Sequence, residues 1–494
     1  MPGSQLTSPD IAAQDLAAPA APLRRTSAPP PPRGAMVAIL AVSLLGFVAC
    51  LLLVLRLSPQ TPLLLALPLV FAGGLMLVPV GLSLLRGRAE AYIGFMGLML
   101  FLTVSQFRSR AWNDGSVDWQ VMMKGGVWVI AGAIGIWQLQ RTAKYLAHPP
   151  VMFGALFILF LTMSTLWSPV TGYTALSSLG YICFFLFALA AVDRLDETQL
   201  LQGLALGLGA LVLLSLAIYP IYGVSFAEVS EGSTGEADRL RGITGHPVSL
   251  AQASVQFALV CLLLMGRVRR GKWLFLVMLA AAVVTLLLTQ SRMAAVAMTA
   301  GFIIAWVHKR GLILYALPIA LAVGTALLMV AALAGMQAIM PDNILALFSR
   351  SGRATEVVTL TGRVDIWAFV LERISAEPIF GHGHASARLV LLGNFGLWAL
   401  AHAHNVYLQA LLYLGIVGFV LMMLALLFQV LRFLKAPSLM RDTILIYLLI
   451  LGVTEQAFLS NLPGTETFLW FVVMAMAVPA AKLAGSRSRR AQAA

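Results

Sequence analysis

Long apolar runs alternate with short polar connections along most of the chain. The runs fall near 36–57, 62–84, 89–106, 125–139, 151–167, 174–192, 200–222, 248–265, 273–290, 293–307, 311–335, 403–431, 443–461 and 465–481. A hydrocarbon core of about 30 Å needs roughly 20 helical residues, so the pattern predicts an all-α, polytopic integral membrane protein with about 12–14 transmembrane helices. Residues 1–34 are rich in Pro, Ala and Ser, with Pro at each of positions 29–32, and read as a disordered tail. The first run begins near Met36, too late and too long for a cleaved secretory signal, and is read as a retained span. The expected organisation is the tail, N-terminal spans over 35–222, a second membrane region over 223–482 and a basic tail over 483–494. Two connections are long, 223–247 and about 336–402. The second contains DIWAFVLERI (365–374) and ASARLVLLGNFGLWAL (385–400), apolar enough for short interfacial helices.

Composition narrows the class. Of the 494 residues 60% are hydrophobic and only 11% charged, which excludes a soluble enzyme. Lys and Arg outnumber Asp and Glu by 33 to 20, a net charge of +13. The basic residues cluster on alternate connections: LLRGRAE, LQRTAKYLAH, GRVRRGKW, HKRG, VLRFLKAPSLMRD and the tail KLAGSRSRR. That is the signature of membrane orientation rather than of a nucleic-acid face, and it assigns these connections and both termini to the cytoplasm. No internal or inverted repeat is visible, and Glu455 is nearly alone as a strongly ionisable residue inside a span, which argues against a flippase or transporter. Glu455 reads either as a site residue or as a packing glutamate beside a cavity. Cys50, Cys183 and Cys261 all sit in apolar runs and read as packing residues.

The remaining ionisable residues gather on the opposite side. The segments are RLRGITGHP (239–247), TQSRMA (289–294), TGRVDIW (361–367), FGHGH (380–384), AHAHN (401–405) and the stretch from Thr454 to Gly464. Arg292 stands between two apolar runs with no basic neighbour, on the side that basic residues avoid, so it calls for an anionic partner: a ligand, or a lipid headgroup reached by snorkelling. Arg363, Arg239 and Arg241 share that side. The planar guanidinium fork matches a phosphate oxygen pair, and several around one cavity point to a diphosphate. For Arg239 and Arg241, salt bridges to Glu236 and Asp238 are an equal alternative. Four of the seven histidines are His382, His384, His402 and His404. Two HxH pairs invite a zinc reading, which is set aside because no Cys, Asp or Glu completes a tetrahedron at close spacing. Histidine titrates near neutrality and can take a proton from a sugar hydroxyl; His404, at the start of a long span, is best placed for that, against the plainer role of an interfacial hydrogen-bonder.

At these residues the chain resembles the O-antigen ligase and polymerase superfamily, the Wzy-type membrane glycosyltransferases that include ExoQ-like exopolysaccharide polymerases. HNVYLQALLYLGIVG resembles the family signature of a histidine, a polar residue, nine residues and GxxG: His404, Asn405, then Gly415 and Gly418. LTQSR ending at Arg292, TGRVDIW with Arg363 and Trp367, EPIFGHG with Pro378, Gly381 and Gly383, and RLRGITGHP with Gly242 and Pro247 match in kind and order, over about residues 235–420. The resemblance implies a GT-C-like enzyme of the bacterial inner membrane, independent of metal and of any cofactor. It would transfer a glycan from undecaprenyl diphosphate to an acceptor hydroxyl at the periplasmic face. By that likeness His404 is the general base, and Arg292 and Arg363 hold the diphosphate, with Arg241 and Arg239 as further contacts. His402, His384, Asn405 and Glu455 are candidate sugar contacts. The expected partners are the lipid-linked glycan, membrane lipids and polysaccharide export or chain-length proteins, with no nucleic acid. The ligase signature continues with two threonines where this chain has Phe419 and Val420, so a polymerase of exopolysaccharide, capsule or O-antigen repeat units is favoured over ligation to a lipid A core.

Overall fold

The computed structural model describes residues 83–107 except 85, 119–225, 239–268, 271–308, 363–391 and 402–478. All of them belong to the unit from Leu77 to Ala494. The expectations for both tails, for the first two apolar runs apart from the end of the second, for the run 311–335 and for much of the long second connection lie outside the described residues.

The helices are α1 (Ala89–Val104), α2 (Trp119–Trp137), α3 (Leu139–Leu146), α4 (Pro149–Met163), α5 (Thr171–Arg194), α6 (Glu197–Tyr222) and α7 (Pro247–Met265). They continue with α8 (Lys272–Thr289), α9 (Arg292–Val307), α10 (Arg363–Ala376), α11 (Ala387–Val390), α12 (Val406–Lys435), α13 (Leu439–Thr454) and α14 (Thr465–Met476). Among the described residues the only β pairing is an isolated bridge between Ser225 and Gly242. Seven helices, α2, α4 to α8 and α12, are at least 18 residues long and apolar enough to cross a membrane, α4 being counted with the 3-10 turn Ser164–Leu166 that continues it, and α1, α9 and α14 are shorter apolar helices. The protein is an all-α polytopic membrane protein.

Two details differ from the hydropathy reading. The run 443–461 is not one span: α13 stops at Thr454, Glu455 turns extended, and a loop reaches to Gly464. Ala457, Phe458 and Leu459 are apolar because they are buried in the bundle, not because they continue a helix. Of the segment 385–400, the described part forms only the short α11.

The centre of the bundle is α14, buried at every position from Thr465 to Ala475 and packed by α5, α13, α4, α1 and α12. A helix apolar on all sides is stable only when enclosed in this way. Edge-to-face ring pairs join it to its neighbours: Phe157 with Trp470 at 5.7 Å, Phe184 with Phe468 at 6.0 Å and Phe185 with Phe471 at 5.4 Å. Helices α1 and α6 touch through small residues; a Cβ on Gly207 would lie 2.5 Å from the carbonyl oxygen of Gly97. Close backbone approach of this kind is the usual way apolar helices associate where no water drives them together.

The two ends of the bundle differ in chemistry. At one end the basic connections are stitched together: Lys144 to Asp193 at 2.7 Å, Arg441 to Asp442 at 2.6 Å, His308 to Asp442 at 3.5 Å, and Arg267 to Glu197. The helices that leave this basic end carry the chain to the other, where the segments containing Arg292, His404 and Glu455 meet.

Candidate active site

His404 lies in the turn that enters α12, and the turn is tied down on every side. Asn405 is the N-cap: its Oδ1 accepts from the backbone N–H of Tyr407 (2.9 Å) and Leu408 (3.0 Å), while its Nδ2 donates to the carbonyl of Val453 at 2.9 Å. The Ala403 N–H donates to Gln409 Oε1 at 2.6 Å, and the Trp367 indole N–H donates to the Ala403 carbonyl at 3.0 Å. These bonds hold His404 at φ +49°, left-handed backbone that non-glycine residues adopt at a cost of roughly 1–3 kcal/mol and that concentrates at functional sites.

The His404 side chain is 29% exposed, and its Nδ1 stands 3.6 Å from Oε2 of Glu455, which is 7% exposed at the end of α13. The His402 ring lies edge-on to that of His404, with centroids 4.0 Å apart. Packing of protein around His402 holds its imidazole well below the usual 6.5; the adjacent His404 and His246 add to the effect, and Glu455 opposes it. His246, the N-cap residue of α7, is thus a neighbour of the cluster that the sequence reading did not single out. Its place directly before the helix-starting Pro247 was the available signal.

The arginines come from three elements. Arg292 is the first residue of α9, half-buried, after a connection of only Gln290 and Ser291 from α8. Because α9 packs along α13, the start of one and the Glu455 end of the other share an end of the bundle. Arg239 is buried and donates its Nε to the Thr289 carbonyl at 2.9 Å, placing a cation on the last turn of α8 beside the Arg292 corner. Arg241 is buried in the same segment, its backbone N–H bonded to Val224 at 2.7 Å. Their alternative partners, Glu236 and Asp238, lie outside the described residues. Arg363 opens α10, one turn before Trp367, so the bond from Trp367 to Ala403 fixes the start of that helix against the His404 turn.

The FGHGH segment forms a joint rather than a catalytic surface. Helix α12 is broken at Gly415 (φ +57°, ψ −162°), and the loop after α10 wedges into the break. There the N–H of His382 donates to Leu412 (2.9 Å), Gly383 to Tyr413 (2.8 Å) and Ile416 to Pro378 (2.9 Å). The backbone groups released by the break are thereby satisfied, as an interrupted membrane helix requires. His382 pairs through Nε2 with the carbonyl of Arg373 at 2.9 Å.

His384 was expected to meet a sugar, but it is fully buried, between the rings of Tyr181 and Tyr413, each 5.2 Å away, with Nε2 2.8 Å from Ser177 Oγ. Burial lowers its imidazole to about 3, so it is a neutral packing element. Ser177 also reaches the Asn461 carbonyl, and Thr174 Oγ1 donates to the His384 carbonyl at 2.7 Å, which ties α5 to both loops. Asn405 is likewise fully buried, which leaves its amide no surface for a sugar. Gln409 and Ser177 were missed in the sequence; each is a polar residue inside an apolar run, and that was the signal, whereas Asn461 lies in the outer stretch from Thr454 to Gly464 that the sequence marked.

One end of the helical bundle thus carries His404 beside Glu455, with Arg292 at the start of α9 and Arg239 held on the last turn of α8. Residues 275–423 match the O-antigen ligase family. The match falls on the stretch whose motifs carry the resemblance. It contains Arg292, Arg363 and His404, whereas Arg239, Arg241 and Glu455 lie outside it. No curated protein matches the chain.

Proposed function

We propose that the protein is a glycosyltransferase that joins undecaprenyl diphosphate-linked oligosaccharide repeat units into a surface polysaccharide, at the periplasmic face of a bacterial inner membrane. The observation that supports this reading most directly is His404, exposed enough to meet a substrate and held 3.6 Å from the buried Glu455 carboxylate. In the reaction the acceptor hydroxyl gives its proton to His404 Nε2 while its oxygen bonds to the anomeric carbon of the donor. The bond from that carbon to the diphosphate oxygen breaks, and its electron pair leaves on the diphosphate. Glu455 faces Nδ1, where it orients the ring and stabilises the imidazolium; catalytic contacts of this length tighten on substrate binding. Arg292 and Arg363, with Arg239 and Arg241 as further contacts, are the cations assigned to the charge that develops on the leaving group. His402, kept neutral by its surroundings, is placed to touch sugar hydroxyls.

Replacement His404→Ala is the test. The protein inserts normally, transfer falls by about 10²–10⁴, and cells accumulate single lipid-linked units; polymer of normal length in this mutant refutes the assignment. The product of a gene deletion separates polymerase from ligase, since loss of a ligase leaves long chains on the lipid carrier. Glycosyl transfer by the purified protein excludes pure transport.

A further inference from the structure

One residue past Glu455, the bundle holds a cavity of about 260 Å³, bounded by the ends of α1, α5 and α7 and by the loop from α13 into α14. Pockets for drug-sized molecules run to roughly 300–1,000 Å³, so this one is sized for a single ring. Its lining combines hydroxyls, amides, one aromatic ring and one carboxylate with the apolar Val104, Ala457, Leu462 and Pro463; Thr103, Tyr173, Ser249, Gln252, Gln456 and Glu466 carry the argument. Among the described lining residues none is Lys, Arg or His. Arg388 lies over the Tyr173 ring, 4.4 Å from its centroid, but is not part of the lining.

Two features show that the cavity is built for a polar guest. Gln456 Oε1 is buried and has no hydrogen-bond partner among the described residues, an acceptor that a ligand hydroxyl would satisfy. Glu466 is buried at the first turn of α14 and held in place by Gln256 Nε2 on one oxygen and Thr465 Oγ1 (3.2 Å) on the other, which leaves further carboxylate lone pairs for a guest. Ser249 and Gln252 lie on the first turns of α7, directly after His246, so the cavity and the His404 cluster share that helix end.

We infer that this cavity is the subsite for the acceptor sugar, the ring whose hydroxyl is presented to His404. Amides, hydroxyls and a carboxylate around an aromatic face suit a polyhydroxylated ring. The donor sugar is bonded directly to a diphosphate and needs cations beside it, which the lining lacks. The inference rests on the proposed glycosyl transfer and adds where the second substrate sits.

The test measures binding to the purified full-length protein in lipid nanodiscs, by tryptophan fluorescence and saturation-transfer NMR. The probes are inorganic diphosphate and the free oligosaccharide released by mild acid from lipid-linked material of cells lacking this protein. Gln252→Leu is expected to weaken oligosaccharide binding at least tenfold and leave diphosphate binding unchanged; Arg292→Gln is expected to do the reverse. Ser249→Leu narrows the same cavity from another position and gives an independent reading should Gln252→Leu unfold. Oligosaccharide binding that is absent in the wild type, or equal in wild type and both folded cavity variants, overturns the subsite. Transfer by the wild type with cavity-independent binding refutes the subsite alone. Binding that depends on Gln252 with no transfer under any condition supports the subsite as a sugar site and refutes the function.

Discussion

The joint between the broken α12 and the loop after α10 supplies a demanding prediction, because it asks a single methyl group to disturb a site eleven residues away. Gly415 has φ +57° and ψ −162°, a region open essentially to glycine alone. A Cβ there would lie 2.2 Å from the Ile379 oxygen and 2.7 Å from the Phe380 nitrogen, both backbone atoms that cannot swing aside. Gly415→Ala therefore carries about 1–3 kcal/mol of backbone strain. If the wedge is expelled, the three hydrogen bonds described above are lost at roughly 0.5–1.5 kcal/mol each, together with the longer one from the Val417 N–H to the Ile379 carbonyl at 3.3 Å. The sum, about 3–7 kcal/mol, is a large part of the roughly 5–15 kcal/mol that keeps a domain folded. Unfolding by SDS titration in mixed micelles, followed by circular dichroism, measures it. Gly94→Ala is the control: its Cβ meets nothing within 4 Å on a regular helix, so it is neutral or slightly stabilising. At Gly381 a Cβ would lie 2.6 Å from Gly415 N, so Gly381→Ala breaks the same joint and the double mutant costs less than the two singles added. A Gly415→Ala protein within about 0.5 kcal/mol of wild type, or strict additivity with Gly381→Ala, refutes the account of the joint.

Three further outcomes follow from the site. Asn405→Ala removes the cap of α12 and costs about 0.5–2 kcal/mol, with a loss of transfer activity at unchanged helix content, read by the same titration and a transfer assay. Trp367→Phe leaves the buried Ala403 carbonyl without its donor, a cost of about 1–3 kcal/mol, and lowers kcat by loosening the His404 turn while the protein remains folded. The third concerns acid. His384 is held down to about 3, so below about pH 6.5 the unfolded chain takes up a proton that the folded chain refuses, and stability is lost as pH falls from there towards 3. The slope approaches about 1.4 kcal/mol per pH unit for this group, His402 acts in the same sense, and a His384→Phe variant whose slope matches wild type would contradict the reading.

Much of the bundle is legible from hydropathy, because every apolar run that falls on described residues corresponds to a helix. The exception at 455–461 has a simple cause: burial within protein and burial within lipid select the same side chains, so Phe458 and Leu459 look like membrane helix. The place of His404 just before a helix start is legible, because the cap residue Asn405 and the following apolar run mark it. The two HxH pairs share one spacing and differ in structure, since nothing in the spacing tells that His384 lies between two tyrosines while His404 stays partly open. The joint at Gly415 was hidden for another reason. Its bonds run from backbone to backbone, and the only trace they leave in the side chains is the glycines themselves.

The ties that complete the His404 turn also impose an order on biosynthesis. When α12 has entered the membrane, every residue of the segment that matches the ligase family has been made, yet the turn still lacks the Val453 carbonyl and the Glu455 carboxylate, and the His384 seam still lacks Asn461. The His404 turn and the His384 seam are completed only when α13 and the loop that leads into α14 have been made. On the proposed reading, a chain cut short after α12 inserts but does not transfer sugar, because its His404 turn lacks Val453 and Glu455.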